Sequence, residues 1–224
     1  MTVLQDCIKK KLNINCIWLM RQAGRYLPEF REIRSKNQDF IKLCLNENLS
    51  SEITVQPLRR FDIDAAIIFS DILLVPFALG QPVKFKKDFG PLLGEIDFNK
   101  MSKIKEAHFI DKLKPVYNAI KKTKDKIELK NKDLIGFVGA PWTILIYMLN
   151  QKSPKNESLD RNLKDRKFIE DLLAIIVKFL KVHINNQIES GATIIQIFDS
   201  WAGLLNEKDY DCLLYTSPSP RDLG

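Results

Sequence analysis

Three short apolar runs, at residues 65–69, 134–138 and 193–198, constrain the fold of this chain more than any other feature. Each run is rich in aliphatic and β-branched side chains, which is typical of a strand that is buried on both faces. Between them, from about residue 103 to 124 and from 168 to 190, apolar residues recur at helical spacing. Strands that alternate with helices in this way predict an α/β fold built on a parallel sheet.

Polar or reactive residues follow directly after each of the three predicted strands. They are Ser70 and Asp71 after the first, residues 139–142 after the second, and Asp199, Ser200 and Trp201 after the third. Catalytic groups of α/β barrels and open α/β sheets gather at this carboxyl edge. Asp71 and Ser200 could instead serve as helix caps, but three such strand ends in one chain favour a functional site. No glycine-rich nucleotide-binding motif follows any of the strands.

The segment WLMRQAGRYLPEFREIR, at residues 18–34, holds four arginines in a stretch that a glycine and a proline interrupt. A surface helix would mix such charges with lysine and would avoid both Gly24 and Pro28. Arginine is the residue that recognises a carboxylate or a phosphate through two parallel hydrogen bonds. The arginine segment therefore predicts an irregular loop that binds an acidic ligand.

The composition is that of a globular domain with an ordinary core. The chain has 224 residues, of which 45% are hydrophobic and 28% are charged. Its apolar runs are too short to cross a bilayer, and its first residues contain no apolar core of signal-peptide length. We therefore expect a cytoplasmic protein without a membrane-inserted segment.

The formal net charge of +7 and the pI of about 9.1 raise the alternative of a nucleic-acid-binding protein. Much of the excess is lysine mixed with acidic residues, as at 121–132, which is typical of a solvated face, and no nucleic-acid-binding motif occurs. The four cysteines lack metal-binding spacing, and neither His108 nor His183 has a partner at ligand spacing. We expect reduced thiols, no metal site, and a helical position for His183.

Four stretches of the chain together resemble one family, the uroporphyrinogen decarboxylases. They are the arginine segment, AAIIFSDILLVPFALG, GFVGAPWTILIYM and IQIFDSWAGLL, and they occur in the order that the family has. The resemblance extends from about residue 17 to 209. It implies a (β/α)8 TIM barrel that acts without a cofactor, as a homodimer in the full-length protein. It also implies the reaction, which removes CO2 from the four acetate side chains of uroporphyrinogen III in haem biosynthesis and gives coproporphyrinogen III.

The resemblance further implies roles for individual residues. The loop from Arg21 to Arg25 would contact substrate carboxylates through its backbone and guanidinium groups. Asp71 matches the carboxylate that reaches the pyrrole N–H groups at the centre of the macrocycle. Asp71 and Arg21 are the expected catalytic residues, Arg21 as a candidate proton donor. The expected substrate-binding residues are Arg21, Gln22, Ala23, Gly24, Arg25, Arg34, Asp71, Tyr147 and Ser200.

The chain is short for this fold, because a (β/α)8 barrel takes about 250 residues. Only three strand–helix units can be recognised before the resemblance ends. We therefore expect residues 1–209 to form an incomplete barrel and residues 210–224, which contain TSPSPRD, to be a disordered tail foreign to the family. An open parallel sheet leaves apolar strands uncovered. We expect this chain to fold poorly on its own and to lack useful decarboxylase activity.

Two other functions stay open at this point. A corrinoid-linked methyltransferase of the same barrel superfamily would need zinc thiolate chemistry, for which the cysteine spacing provides no motif. A basic nucleic-acid-binding protein is favoured only by the pI. Release of CO2 from uroporphyrinogen, as opposed to salt-sensitive binding to DNA, separates the decarboxylase from the nucleic-acid-binding protein.

Overall fold

The computed structural model of the chain describes residues 2–10, 15–86, 89–154 and 166–204. The helices are α1 (Val3–Lys10), α2 (Pro28–Lys36), α3 (Phe40–Cys44), α4 (Glu47–Val55), α5 (Leu74–Ala78), α6 (Phe98–Met101), α7 (Glu106–Lys124), α8 (Pro141–Asn150) and α9 (Arg166–Glu189). The strands are β1 (Ala65–Ile67), β2 (Val83–Lys86), β3 (Gly90–Leu93), β4 (Asp133–Gly139) and β5 (Ile194–Phe198).

Strands β1, β4 and β5 form one parallel sheet, in the order β1–β4–β5. Ala65 of β1 pairs with Asp133 of β4, and Gly139 at the end of β4 pairs with Phe198 of β5. Helices separate the three strands in the sequence, since α7 precedes β4 and α9 precedes β5. The predicted α/β fold with parallel strands is therefore confirmed, and the strand ends differ from the predicted ones by one or two residues.

Strands β2 and β3 form a separate antiparallel hairpin between α5 and α6. The hairpin packs on α3, where the rings of Phe40 and Phe85 lie edge to face with their centroids 4.6 Å apart. It also reaches the end of α8, because the Leu93 N–H donates to the Gln151 carbonyl at 2.7 Å. These contacts attach the hairpin to the helices that surround the sheet.

The largest cluster of buried apolar side chains joins helices α5, α7, α8 and α9 to strand β4. Phe109 of α7 and Phe179 of α9 stack with ring centroids 4.7 Å apart, so the two long helices share one core. Gly191 follows α9 with a φ of +114°, a conformation that glycine adopts without the steric cost of a side chain. The helices predicted from residue 103 to 124 and from 168 to 190 are confirmed.

His183 lies on the buried face of α9, as predicted for a helix residue. Its Nδ1 atom is 3.1 Å from the hydroxyl oxygen of Tyr117 in α7. Burial lowers the pKa of His183 to about 3, so the imidazole is neutral near pH 7. The pair therefore joins the two helices through a hydrogen bond between neutral groups.

The segment 210–224, predicted to be a tail foreign to the family, lies outside the described residues. Most of the loop that precedes α9, residues 155–165, lies outside them as well. Within the described ranges, no helix has both the length and the apolar character that crossing a bilayer requires.

Candidate active site

The carboxyl ends of β1, β4 and β5 lie side by side because the three strands are parallel neighbours. A cleft of about 600 Å³ opens over this edge of the sheet. It is lined by residues of the arginine segment and of the three strand ends, namely Met20, Arg21, Gln22, Ala23, Gly24, Tyr26, Ile67, Ile68, Phe69, Ser70, Asp71, Ile72, Phe137, Phe198 and Ser200. The site expected at this edge therefore coincides with a cleft.

The structure brings most of the predicted site residues to this cleft. Those in the lining are Arg21, Gln22, Ala23, Gly24, Asp71 and Ser200. Arg25, Arg34 and Tyr147 are not in the lining. Tyr147 is half-buried in α8, where its ring meets that of Trp201 with centroids 6.1 Å apart. It therefore lies beside the residue that follows Ser200.

The arginine segment is irregular up to residue 27, and α2 begins at Pro28. Proline suits a first helical turn because its φ is already helical and the N–H that it lacks would have no helical partner there. Leu27 and Phe30 are buried and anchor the start of α2. The loop turns back at Gly24, whose carbonyl accepts the Leu27 N–H at 3.0 Å. The irregular loop predicted for the arginine segment is confirmed up to residue 27, whereas residues 28–34 are part of α2.

Two of the four arginines of the segment bind backbone carbonyls nearby. The Arg31 guanidinium donates to the carbonyl oxygens of Arg25 at 2.7 Å and Tyr26 at 3.2 Å, and so closes the loop from its C-terminal side. Arg34 donates to the Asn37 carbonyl just after α2 and lies over the ring of Phe40, 5.7 Å from its centroid. A contact between Arg34 and substrate stays a prediction.

Arg21 and Arg25 are different, because their side chains are exposed and make no hydrogen bond or ion pair to other residues of the described ranges. The remaining arginines of those ranges all bind a carboxylate or a carbonyl group: Arg31, Arg34, Arg59, Arg60 and Arg166. A guanidinium without an internal partner keeps its donors for a ligand. The loop from Arg21 to Arg25 therefore carries two such groups, of which Arg21 lines the cleft.

Asp71 is half-buried in the segment between β1 and α5, where one carboxylate oxygen accepts the Leu73 N–H at 2.8 Å. This bond forms a turn just before α5. The helix-capping role considered from the sequence is wrong, because Leu73 is the N-cap of α5 and no side chain caps that helix. Asp71 also lines the cleft. Desolvation raises the pKa of the Asp71 carboxyl to about 6, against the smaller lowering effect of the bond from Leu73. Asp71 is thus a carboxyl group that changes protonation near neutral pH.

The start of α8 holds the loop that follows β5. The Thr143 hydroxyl donates to the Asp199 carboxylate at 2.7 Å and accepts the Trp201 N–H at 3.2 Å. The Trp142 indole N–H donates to the Trp201 carbonyl at 3.0 Å. These three bonds enclose Ser200 on both sides, so the segment after β4 positions the residue that follows β5 at the cleft.

Sequence comparisons decide which family has this arrangement. The sequence pattern of the family described as uroporphyrinogen decarboxylase (URO-D) matches residues 2–217. The chain belongs to the uroporphyrinogen decarboxylase family. The matched range includes part of the segment 210–224, and a domain boundary at residue 209 stays a prediction.

Curated relatives within this family cover most of the chain. A uroporphyrinogen decarboxylase of Rickettsia bellii is 42% identical over 212 residues, which are 94% of this chain and 62% of the relative. One of Campylobacter hominis is 41% identical over 209 residues, which are 92% of this chain and 61% of the relative. The chain therefore spans less than two thirds of the length of these curated relatives.

A solved structure of a methyltransferase from Methanosarcina mazei has a similar fold. It superposes with a TM-score of 0.69 over 90% of this chain and 59% of that chain, at 17% sequence identity. At this level of identity the likeness shows the fold alone. It agrees with the α/β architecture of this uroporphyrinogen decarboxylase family member.

The aromatic part of the cleft was not singled out from the sequence. Phe137 of β4 and Phe198 of β5 line it, with ring centroids 5.6 Å apart at an interplanar angle of 66°. The available signal was an aromatic residue near the carboxyl end of each strand. Because side chains alternate between the two faces of a strand, only the register places these two rings on the cleft side.

The chemistry of the cleft follows from this distribution of groups. Arg21 contributes positive charge, Asp71 contributes a titratable carboxyl, and apolar and aromatic side chains of the three strand ends complete the lining. Such a cleft can hold a large ring with acidic substituents and place a carboxylate near its polar centre. Among the described residues, no group of three His, Cys, Asp or Glu side chains is placed to hold a metal ion.

Proposed function

We propose that this chain carries the substrate site of a carboxy-lyase that removes CO2 from the four acetate side chains of uroporphyrinogen III and forms coproporphyrinogen III. The observation that carries the proposal is that Arg21 and Asp71, the predicted catalytic residues, line one cleft at the carboxyl ends of parallel strands. The relatives that are named uroporphyrinogen decarboxylase support this choice of substrate.

The two exposed arginines suit the substrate, which carries eight carboxylates. Arg21 and Arg25 have no carboxylate partner within the described ranges, so an incoming acetate or propionate displaces no internal ion pair. A guanidinium can pair with a carboxylate through two parallel hydrogen bonds. The backbone of residues 22–24 and the Ser200 hydroxyl are further proposed contacts. Arg34 and Tyr147 would contact only a substrate that extends beyond the lining residues.

Loss of CO2 leaves an electron pair that needs an acceptor, and in the proposed mechanism the protonated pyrrole ring accepts it without a cofactor. In the proposed mechanism a proton adds to the α-carbon of the pyrrole that bears the acetate. The bond between the acetate methylene and its carboxylate then breaks, CO2 leaves, and the electron pair flows into the cationic ring. The methylene takes up a proton and the α-carbon loses one, so the net change converts acetate to methyl. Arg21 is the proposed proton donor.

Asp71 has the complementary role in this mechanism. The protonated pyrrole carries positive charge near its nitrogen atoms, and an ionised Asp71 would accept the pyrrole N–H groups and stabilise that charge. A fixed carboxylate in a cleft that excludes water stabilises a nearby positive charge more strongly than the same group does in bulk water. The Leu73 N–H holds the carboxylate in one orientation before the substrate arrives.

Replacement of Asp71 by Asn tests this role. We define the extended chain as residues 1–209 joined to the region of the Rickettsia bellii relative that continues the family sequence beyond them. We expect the extended chain to release CO2 from uroporphyrinogen III, and Asp71→Asn to lower kcat by about 10²–10³, the typical cost of losing one preorganised electrostatic partner.

Asp39→Asn is the matched control for Asp71→Asn. Asp39 also accepts a backbone N–H, that of Lys42 at 3.1 Å at the start of α3, but it does not line the cleft. Asparagine can make the same capping bond, so this variant removes only a charge. It should keep the parent rate. Near-normal turnover by Asp71→Asn would remove Asp71 from the mechanism.

We also propose the architecture, cellular location and oligomeric state that the family resemblance implies. The described sheet is part of an incomplete (β/α)8 barrel with about three strand–helix units. The full-length enzyme is a cytoplasmic homodimer that binds neither nucleic acid nor membrane. Methyl transfer receives no specific support, because the likeness to the Methanosarcina mazei protein concerns the fold. Release of CO2 without salt-sensitive binding to DNA would exclude the nucleic-acid alternative.

A further inference from the structure

We propose that Gln22 is a positioning residue, which fastens the loop from Arg21 to Arg25 to strand β1 and so restricts both arginines, of which Arg21 lines the cleft. The proposal deepens the function proposed above and rests on it for the part that concerns substrate binding. The attachment of the loop rests on hydrogen bonds and burial alone.

Gln22 is only 3% exposed, although the arginines at both ends of its loop are exposed. Its side-chain amide nitrogen donates to the Ala65 carbonyl at 2.8 Å. Its amide oxygen accepts the Ile67 N–H at 3.2 Å. Both ends of the amide are therefore bound to the backbone of β1. Because both polar ends of the side chain are bonded to β1, we expect Gln22 to contact substrate only through its backbone.

The two bonds occupy the edge of β1 that faces away from β4. On the β4 side, the Asp64 carbonyl accepts the Asp133 N–H and the Ile68 N–H donates to Ile135. The backbone groups of alternate strand residues point to opposite edges, so those of Ala65 and Ile67 face the other edge. Within the described ranges no strand pairs there. The Gln22 amide offers one donor and one acceptor, as a neighbouring strand would.

The attachment of Gln22 to β1 also restricts Arg21 and Arg25, because both arginines lie within three residues of Gln22 in the chain. Gln22 directly follows Arg21, and its carbonyl accepts a hydrogen bond from the Tyr26 hydroxyl. Arg31 binds the carbonyl oxygens of Arg25 and Tyr26. The loop is thus closed on itself, and the Gln22 side chain ties the closed loop to the sheet. Groups that are held before binding lose less conformational freedom when the ligand arrives.

Gln22→Met is the diagnostic variant, because methionine has similar length and can replace neither hydrogen bond. Gln81→Met is the matched control. Gln81 is 1% exposed and its side-chain nitrogen also donates to backbone carbonyls, those of Gly94 at 2.8 Å and Met148 at 3.1 Å. It lies outside the cleft lining, so Gln81→Met removes buried amide bonds without touching the arginine loop.

The first measurement is the rate at which trypsin cleaves the extended chain after Arg25. This measurement needs no decarboxylase activity. We expect Gln22→Met to raise this rate by about tenfold, the factor that corresponds to loss of a buried hydrogen bond. Cleavage after Lys112 of α7, which is followed by the buried Leu113, reports global unfolding and should rise no more in Gln22→Met than in Gln81→Met. Equal cleavage after Arg25 in the parent chain, Gln22→Met and Gln81→Met would overturn the proposal.

The second measurement is the steady-state kinetics of the extended chain with uroporphyrinogen III. A positioning role predicts that Gln22→Met raises KM by about tenfold while kcat changes less than about threefold. If Gln22 contacted substrate directly, KM would rise while cleavage after Arg25 stayed at the parent rate, and this result would contradict the proposal. An extended chain without activity would refute the proposed function and leave the tryptic result to decide on the attachment.

A third measurement uses the extended chain without any substitution and therefore does not depend on how the variants fold. The Ile67 amide lies on an edge of β1 without a strand neighbour in the described ranges, and it is bonded to the Gln22 side chain. We expect this amide to be protected from hydrogen exchange. Exchange at the rate of the exposed Arg25 amide would overturn the proposal.

Discussion

Asp71 shows how one residue can serve the local backbone and the cleft at the same time. Its bond from the Leu73 N–H shapes the turn into α5 and also prevents the carboxylate from rotating. Burial destabilises the ionised form, whereas a substrate that donates pyrrole N–H groups would stabilise it. Binding of the proposed substrate should therefore shift Asp71 towards its ionised form, in a pH range where activity can report the change.

The first prediction concerns the pH dependence of activity. Because burial raises the pKa of Asp71 to about 6, kcat/KM of the extended chain should increase with pH through an apparent pKa near 6. The corresponding limb of kcat should lie at lower pH, since bound substrate favours the ionised carboxylate. Asp71→Asn should remove both limbs from its residual activity, whereas Asp39→Asn should keep them. A kcat/KM that does not change between about pH 5 and pH 8 would contradict this.

Helices α7 and α9 form the layer that supports β4 and the cleft, and the hydrogen bond between Tyr117 and His183 lies in their shared core. Both groups are uncharged there, because burial raises the pKa of Tyr117 and lowers that of His183 to about 3. Protonation of this buried imidazole would place a charge in the apolar core and so destabilise the folded state. This element is therefore sensitive to acid.

The second prediction follows from the sign of that shift. The pKa of His183 in the folded state, about 3, lies below its ordinary value of 6.5, so the unfolded chain binds the proton first. Above about pH 6.5 the imidazole is neutral in both states, so His183 does not make the free energy of unfolding depend on pH. As the pH drops from 6.5 towards 3, the free energy of unfolding falls. One group contributes a slope of about 1.4 kcal/mol per pH unit.

Urea unfolding of the extended chain at about pH 7, 5.5 and 4.5 measures this slope. His183→Gln can still accept a bond from Tyr117 but cannot titrate, so its stability should depend less on pH by about the slope of one proton. His108→Gln, at an exposed position of α7, the helix that contains Tyr117, is the control and should behave as the parent chain. Parallel slopes for His183→Gln and the parent would show that His183 already titrates normally in the folded state.

At the scale of the whole molecule, the parallel sheet has two outer edges in the described ranges, one on β1 and one on β5. The Gln22 side chain covers part of the β1 edge. On β5, Ile197 is 49% exposed, and Ile188 at the end of α9 is 51% exposed. Parallel strands are normally covered on both faces, and an uncovered apolar edge favours association between chains.

The third prediction is that the extended chain is more soluble than the 224-residue chain and unfolds more cooperatively, because added strands and helices would cover the β5 edge and the exposed isoleucines beside it. CO2 release from uroporphyrinogen should be found with the extended chain and not with the shorter one. Both proteins should be compared at equal concentration by light scattering, urea unfolding and activity. Comparable solubility, cooperativity and turnover of the 224-residue chain would contradict the expectation that it folds poorly and is inactive.

Much of the fold and part of the site follow from local patterns in the sequence. The apolar runs at β1, β4 and β5 and the helical spacing of α7 and α9 are short-range signals, since burial imposes a period on each element separately. Parallel order then brings Asp71 and Ser200 to one edge without further information. The same reasoning found Arg21, because its loop is broken locally by glycine and proline.

The sequence by itself therefore determined the class of fold and the edge of the sheet where the cleft lies, and it predicts the acidic ligand that the arginines suit. Only the tertiary structure decided which side chains meet. It turned Arg31 and Arg34 towards nearby carbonyl groups, brought Phe137 and Phe198 together, and bonded Gln22 to β1. These contacts depend on strand register and on the path of a loop, and both result from packing between residues that are distant in the chain.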